Sequence, residues 1–252
     1  MADEAAKAFY MPAGAYAQIK NRARYHLAKP HVVGREVLDL GCGARPGPQY
    51  LARHAARVVG ADVSAEAVAY ASANFPAPNL EYRVVGESSL PFPDGSFDAV
   101  VSFEVIEHAA DTARFVGEIH RVLRPGGTFI GSTPNGLRPG KERQKENPDH
   151  VSEMSLDQLR GVLGEKFERV EIFALARGAL RHPAPPRGVA GRIKSLVPLR
   201  VKSAVKNALL RSKAAVAAGN LAGAGVKMED FSLASENIEL AGTFYFVCGK
   251  SR

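Results

Sequence analysis

The 252-residue sequence predicts an α/β fold: a doubly wound, mostly parallel sheet of seven strands, with a helical insertion before the last strand. Three observations carry this. Short apolar runs alternate with helical segments, the pattern of βαβ units. The first run, Val37-Leu38-Asp39-Leu40, ends in Gly41-Cys42-Gly43. The second, Val58–Ala61, ends in Asp62, nineteen residues after Gly43.

The elements follow in order. Ala5–Lys29 reads as helical and leads into a strand at Glu36–Leu40. Pro48–Ala56 is a helix and Val58–Ala61 the second strand. Ser64 is an N-cap for a helix over Ala65–Asn74, which Pro76 and Pro78 stop. Tyr82–Val85 is the third strand, and Pro91-Phe92-Pro93-Asp94-Gly95 is a turn. Phe97–Phe103 is the fourth strand; Thr112–Leu123 is a helix closed by Pro125-Gly126-Gly127. Thr128–Ser132 is the fifth strand, Ser155 caps a helix through Leu163, and Phe167–Leu175 and Ile238–Val247 complete the sheet.

Ligands of such sheets sit outside the carboxyl ends of the strands, near the switch in strand order. Gly41, Gly43, Asp62, Gly86, Glu87, Phe103 and Glu104 therefore surround one crevice. Glycine allows a sharp turn and close approach of a ligand to the backbone. An acid about 20 residues further on can accept hydrogen bonds from ribose hydroxyls. A dinucleotide fingerprint wants a third glycine where this chain has Pro46. The reading is a Rossmann-like site for a single nucleoside.

Composition narrows the classes further. No apolar run approaches the roughly 20 residues of a membrane span. Residues 1–20 lack the basic start and apolar core of a signal peptide. Cys42 and Cys248 do not make a disulfide framework and read as reduced thiols, so a cytoplasmic protein is expected. The net charge of +7 is local: Arg177–Lys213 holds ten Lys/Arg and no acid, leaving the rest of the chain at −3.

The fourth strand runs into Glu104-Val105-Ile106-Glu107-His108. On a helical turn these spacings share one face. Two carboxylates and an imidazole can bind Mg²⁺, Mn²⁺ or Zn²⁺. His108 can equally cap a helix or act as a base.

Four blocks together resemble class I S-adenosylmethionine-dependent methyltransferases of the type 11 and ubiquinone-biosynthesis O-methyltransferase kind. They are Val37–Gly43, Gly60–Ser64, Leu90–Asp98 and Arg121–Gly127. The resemblance covers about Arg22 to Cys248 without the insertion. It implies S-adenosyl-L-methionine as cofactor, with the turn around Asp39, Gly41, Cys42 and Gly43 at its methionine part. Asp62 would hold the ribose hydroxyls, Val63 would lie against adenine, and Phe103 near the methionine moiety. Arg22, seventeen residues before Asp39, would take the cofactor's carboxylate. Many relatives have an Asp where this chain has Gly86; Glu87 is the substitute.

Ser132-Thr133-Pro134-Asn135 and then His150 complete a similarity to the metal-dependent small-RNA 2′-O-methyltransferases. That likeness implies a cation held by Glu104, Glu107, His108 and His150. His108, His150 and Glu104 are the candidate catalytic groups.

The implied organisation is an N-terminal helical cap (1–30), a cofactor-binding domain (31–177 and 236–252) and a basic helical insertion (178–235). Apolar residues from Ile193 to Leu209 step by three and four, with Lys/Arg elsewhere. Such a helix suits a lid over the site or contact with an anionic membrane through 191–213, at the inner face. The segment from Gly178 to Lys227 has no aromatics to stack on RNA bases, which argues against nucleic acid. The expected function is O-methylation of a small-molecule, sugar/glycan or lipid-linked hydroxyl. RNA 2′-O-methylation, small-molecule N-methylation and a non-catalytic cofactor-binding regulator are the alternatives.

Overall fold

Apolar runs and side-chain caps set the element order in the computed structural model, which describes residues 15–86, 89–136, 150–177 and 231–251. The chain runs α1 (Ala15–Ala28), β1 (Glu36–Leu40), α2 (Gly47–Ala52), β2 (Arg57–Asp62), α3 (Ala65–Asn74), β3 (Leu80–Val84) and β4 (Phe97–Phe103). It continues through α4 (Thr112–Val122), β5 (Leu123–Pro134), α5 (Leu156–Gly164), β6 (Arg169–Arg177), β7 (Phe231–Ala234) and β8 (Thr243–Gly249). Ser64 caps α3 by accepting from the Ala67 N–H, and Asp111 does the same for α4 through Arg114. Ser155 and Gln158 form a reciprocal capping box on α5.

The sheet order is β3-β2-β1-β4-β5-β8-β6-β7. The five strands from β3 to β5 pair in parallel, and β8 lies antiparallel between β5 and β6. Central strands are covered on both faces, which is why they read as continuous apolar runs. Successive side chains alternate between the faces. Leu38, Val59, Val100, Phe129 and Phe246 share one core with α4 and α5. Val37, Val58, Val101, Phe103 and Tyr245 share the other with α1.

The sheet has eight strands where the sequence predicts seven. The added edge strand, Phe231–Ala234, pairs antiparallel with β6 and falls within the stretch expected as insertion. It is four residues long with only Phe231 buried, too little periodicity to signal a strand. The last strand starts at Thr243, not Ile238. Ile238–Leu240 is a 3-10 turn preceded by Asn237 in the left-handed region. Its alternation of apolar and polar residues mimics a strand. The basic segment 191–213 lies outside the described residues, as does Glu87. Among the described residues no helix is long and apolar enough to cross a membrane.

One side chain fastens the loop before β4. Arg121 on α4 donates to the carbonyls of Leu90 (3.0 Å) and Phe92 (2.8 Å) and to the carboxylates of Asp94 and Glu118 (each 2.8 Å). Glu118 also accepts from the Leu90 N–H at 2.8 Å. Arg121 and these bonds hold the Glu118 carboxyl down at about 2. Replacing Arg121 by Met strands two carbonyls and two carboxylates. We expect a loss of about 2–3 kcal/mol in denaturant unfolding; a loss below about 0.5 kcal/mol would show that the loop is held by its apolar contacts alone.

Candidate active site

The carboxyl ends of β1, β2 and β4 surround a cavity of about 420 Å³, within the range of small-molecule sites. It lies where the chain reverses across the sheet between β1 and β4, the expected position in this topology. Gly41, Asp62, Val63, Glu104, Val105 and His108 are among its lining residues.

The turn after β1 needs glycine for two reasons. Gly41 and Gly43 have φ of 75° and 57°, both left-handed. A Cβ on Gly41 would also lie 2.3 Å from Cγ2 of Val105. Pro46, which replaces the third glycine of a dinucleotide site, precedes the first residue of α2. Close packing falls to Gly47 instead, where a Cβ would meet the Tyr25 ring of α1 at 2.2 Å.

Asp62 is fixed before any ligand arrives. Its Oδ2 accepts from the Gly43 N–H at 2.8 Å, and its Oδ1 from the Ser64 N–H at 3.0 Å. A carboxylate offers about four lone-pair positions. Two remain for ribose hydroxyls. Val63 is exposed beside it, an apolar surface for a flat ring.

The other residues expected around the cofactor are placed differently. Phe103 lies on the α1 face of the sheet, its ring 5.1 Å from Tyr25 and 5.9 Å from Tyr245, and does not line this cavity. Arg22 is exposed and near Tyr50. The arginine that α1 buries is Arg24, whose guanidinium pairs with Glu104 Oε2 at 2.9 Å. Cys42 is buried in the turn, and burial pushes its thiol up. It and Cys248 are free thiols. Asp39 is 1% exposed; Oδ1 accepts a long 3.4 Å bond from the Tyr25 hydroxyl and Oδ2 has no partner.

Glu104 departs from its expected metal role. Its φ of 56° is left-handed, and a three-residue 3-10 turn, Ile106–His108, follows. No helical phase runs from Glu104 to His108, so the two do not share a face. Both Glu104 oxygens are taken, by Arg24 and by the Ser132 hydroxyl at 2.9 Å. The group that forms is Glu107, His108 and His150, with ligand atoms within 4.8 Å of one another. The two imidazoles meet edge to face at 4.9 Å. His150 is brought there by Ser152, whose N–H donates to the Glu107 carbonyl and whose hydroxyl donates to the Ala109 carbonyl.

Glu107 is fully buried. Its Oε2 accepts from Thr133 Oγ1 at 3.0 Å and its Oε1 has no partner. Burial and the nearby Glu104 push its carboxyl up to about 7. His150 Nδ1 lies 2.7 Å from Glu153 Oε1. That contact holds the proton on Nδ1 and leaves the Nε2 lone pair outward. Glu153 was not among the residues picked from the sequence. Its only signal there is the three-residue step from His150.

Residues 38–131 match the family model described as a methyltransferase domain. Over 149 residues the chain is 43% identical to a probable S-adenosylmethionine-dependent methyltransferase of Mycolicibacterium smegmatis, covering 58% of this chain and 57% of that one. The chain carries a class I S-adenosylmethionine-dependent methyltransferase domain. It is 36% identical over 118 residues to the ubiquinone biosynthesis O-methyltransferase of Agrobacterium fabrum, covering 46% of this chain and 47% of that one. The chain thus spans about half the length of the curated relatives it matches.

Solved structures give the methyltransferase domain the same fold. A possible histamine N-methyltransferase from Thermotoga maritima superposes with a TM-score of 0.59 at 14% identity, over 93% of this chain and 92% of that one. A complex of a methyltransferase activator with a putative methyltransferase from Haloferax volcanii gives 0.58 at 21%, over 94% and 93%.

The buried Asp39 of this domain makes stability depend on pH. Desolvation, reinforced by Asp62, raises its carboxyl to about 7, and the Tyr25 bond opposes this only weakly. The folded value lies above the unfolded one of roughly 3.9. The contribution is therefore full below about pH 4 and lost as pH rises towards 7. Asp39→Asn should gain about 2 kcal/mol or more relative to wild type between pH 4 and pH 8. Denaturant titrations at the two pH values check this; a pH-independent difference would mean that Asp39 is ionised throughout.

Proposed function

We propose that the protein is an S-adenosylmethionine-dependent O-methyltransferase acting on a hydroxyl of a small molecule, a sugar or glycan, or a lipid-linked intermediate. The observation that carries this reading is the His150–Glu153 pair, meeting His108 at the edge of a cavity whose opposite side is Asp62.

The residues present fit the cofactor. Asp62 keeps two acceptor positions for the ribose hydroxyls. The left-handed turn at Gly41 and Gly43 exposes backbone on the cavity side, and Val63 offers an apolar surface to adenine. When bound, S-adenosylmethionine supplies an electrophilic methyl group on a sulfonium. The chain must then orient the acceptor and remove its proton. An alcohol is too weak a nucleophile at neutral pH without a base within hydrogen-bond reach. His150 Nε2 takes that proton, and Glu153 stabilises the resulting imidazolium through Nδ1. His108 lines the cavity between His150 and the donor side, where it orients the hydroxyl. Glu104 is not the base, because Arg24 and Ser132 occupy both its oxygens.

A second reading is favoured by one observation. Glu107 Oε1 is buried without a partner and lies with His108 and His150 in a group able to hold one ion. A divalent cation there would supply Lewis acidity that lowers the pKa of a hydroxyl. Glu107, His108 and His150 would then be ligands, and Glu153 would orient His150.

Two measurements separate these points. Calorimetry with S-adenosylhomocysteine should show binding to wild type and a loss of about tenfold or more in Asp62→Ala, since two charge-assisted bonds disappear. Equal affinity in the variant would remove the ribose assignment. Titration of chelator-treated protein with Mn²⁺ should give one site per chain that His150→Ala abolishes if the cation reading holds. No uptake by wild type leaves His150 as the base.

A further inference from the structure

Glu104 is one of two non-glycine residues with left-handed φ among the described residues, and it sits on the cavity wall. That conformation costs a side-chain-bearing residue about 1 kcal/mol or more and persists only where surroundings enforce it. Three contacts enforce it here. The Glu104 N–H donates to the Ser132 carbonyl at 2.8 Å. The Ser132 hydroxyl donates to Oε1 at 2.9 Å. Arg24, from α1, pairs with Oε2 at 2.9 Å. The first two come from β5, inside the sheet. The third reaches across from another element.

Arg24 is itself 5% exposed, and its Nε has no partner among the described residues. A guanidinium this buried is strongly committed to its one carboxylate. Lys20, one turn earlier on α1, donates to Thr243 of β8. This second polar contact fixes the helix over the end of the sheet.

The consequence passes to the next residue. Val105 lines the cavity, and its Cγ2 fills the position a Cβ on Gly41 would take. The backbone angle at Glu104 therefore decides where Val105 stands against the glycine turn.

We infer that Arg24 is a positioning residue: with Ser132 it holds Glu104 in the left-handed conformation and so sets Val105 against Gly41 at the cofactor cavity. The inference rests on the cofactor reading above and extends it to α1, the helix the sequence marks only as a cap. Arg24 acts through Glu104 and need not touch the cofactor.

A double-mutant cycle with glycine at 104 tests this, because glycine adopts left-handed φ without support and has no carboxylate to strand. The readout is S-adenosylhomocysteine affinity by calorimetry, with thermal unfolding of each variant alongside. Arg24→Met should weaken binding about tenfold, and Arg24→Lys by a smaller factor. Glu104→Gly should stay within about threefold of wild type, and Arg24→Met/Glu104→Gly within about threefold of Glu104→Gly. If Arg24→Met does not fold, the same cycle is run with Arg24→Lys. Wild-type affinity in the Arg24 variant would overturn the inference. So would a double variant as weak as Arg24→Met, which would assign Arg24 a direct contact with the cofactor. Failure of the wild type to bind S-adenosylhomocysteine would instead overturn the cofactor reading, and this inference with it.

Discussion

Parallel pairing of β1 with both β2 and β4 is the constraint on which the site depends. It forces the chain to leave β1 towards one side and β4 towards the other. The carboxyl ends of the strands then splay around a crevice. Gly41 turns left-handed to let the chain leave β1, and Val105 after β4 closes against it with no room for a Cβ. The donor side of the cavity is built from the β1 and β2 ends, where Asp62 is locked by Gly43 and Ser64. The acceptor side is built from the β4 and β5 ends.

The polar groups on these two sides are held differently. Asp62 is fixed by backbone N–H groups within two residues of it or across one turn, so its geometry survives small shifts of helices. The groups after β4 depend on distant partners: Arg24 from α1, Ser132 and Thr133 from β5, and the 150–153 segment. Low local dielectric strengthens such networks when satisfied and penalises them when not. Glu107 and Asp39 are the two carboxyls that burial pushes up to about 7, and both carry an unpartnered oxygen. A donor or a cation meeting either oxygen would relieve that cost.

The domain assignment and the fold stand on separate grounds. Identity to curated methyltransferases is carried by the first strand-and-turn half of the chain, the part that handles the donor. Structural likeness extends over more than nine-tenths of the chain at identities of 14–21%, and it speaks to architecture alone. The parts that meet an acceptor are the 104–108 turn, the 150–153 segment and α1.

The sequence by itself determined the βαβ order, the caps at Ser64 and Ser155 and the glycine turn with its acid, because these features are encoded within a few residues of one another. β1, α3 and β4 were readable to their ends, each bounded by a cap, a glycine or a proline. What only the tertiary structure decided are relations between elements. The rotation of α1 on the sheet chose Arg24 over Arg22 for burial. Strand alternation sent Phe103 to the α1 face and away from the cavity. A single left-handed residue broke the helical phase that would have put Glu104 and His108 together, so the group closed on Glu107, His108 and His150. Spacing along a chain reports a face only while the backbone repeats, and at Glu104 long-range partners hold it out of repeat.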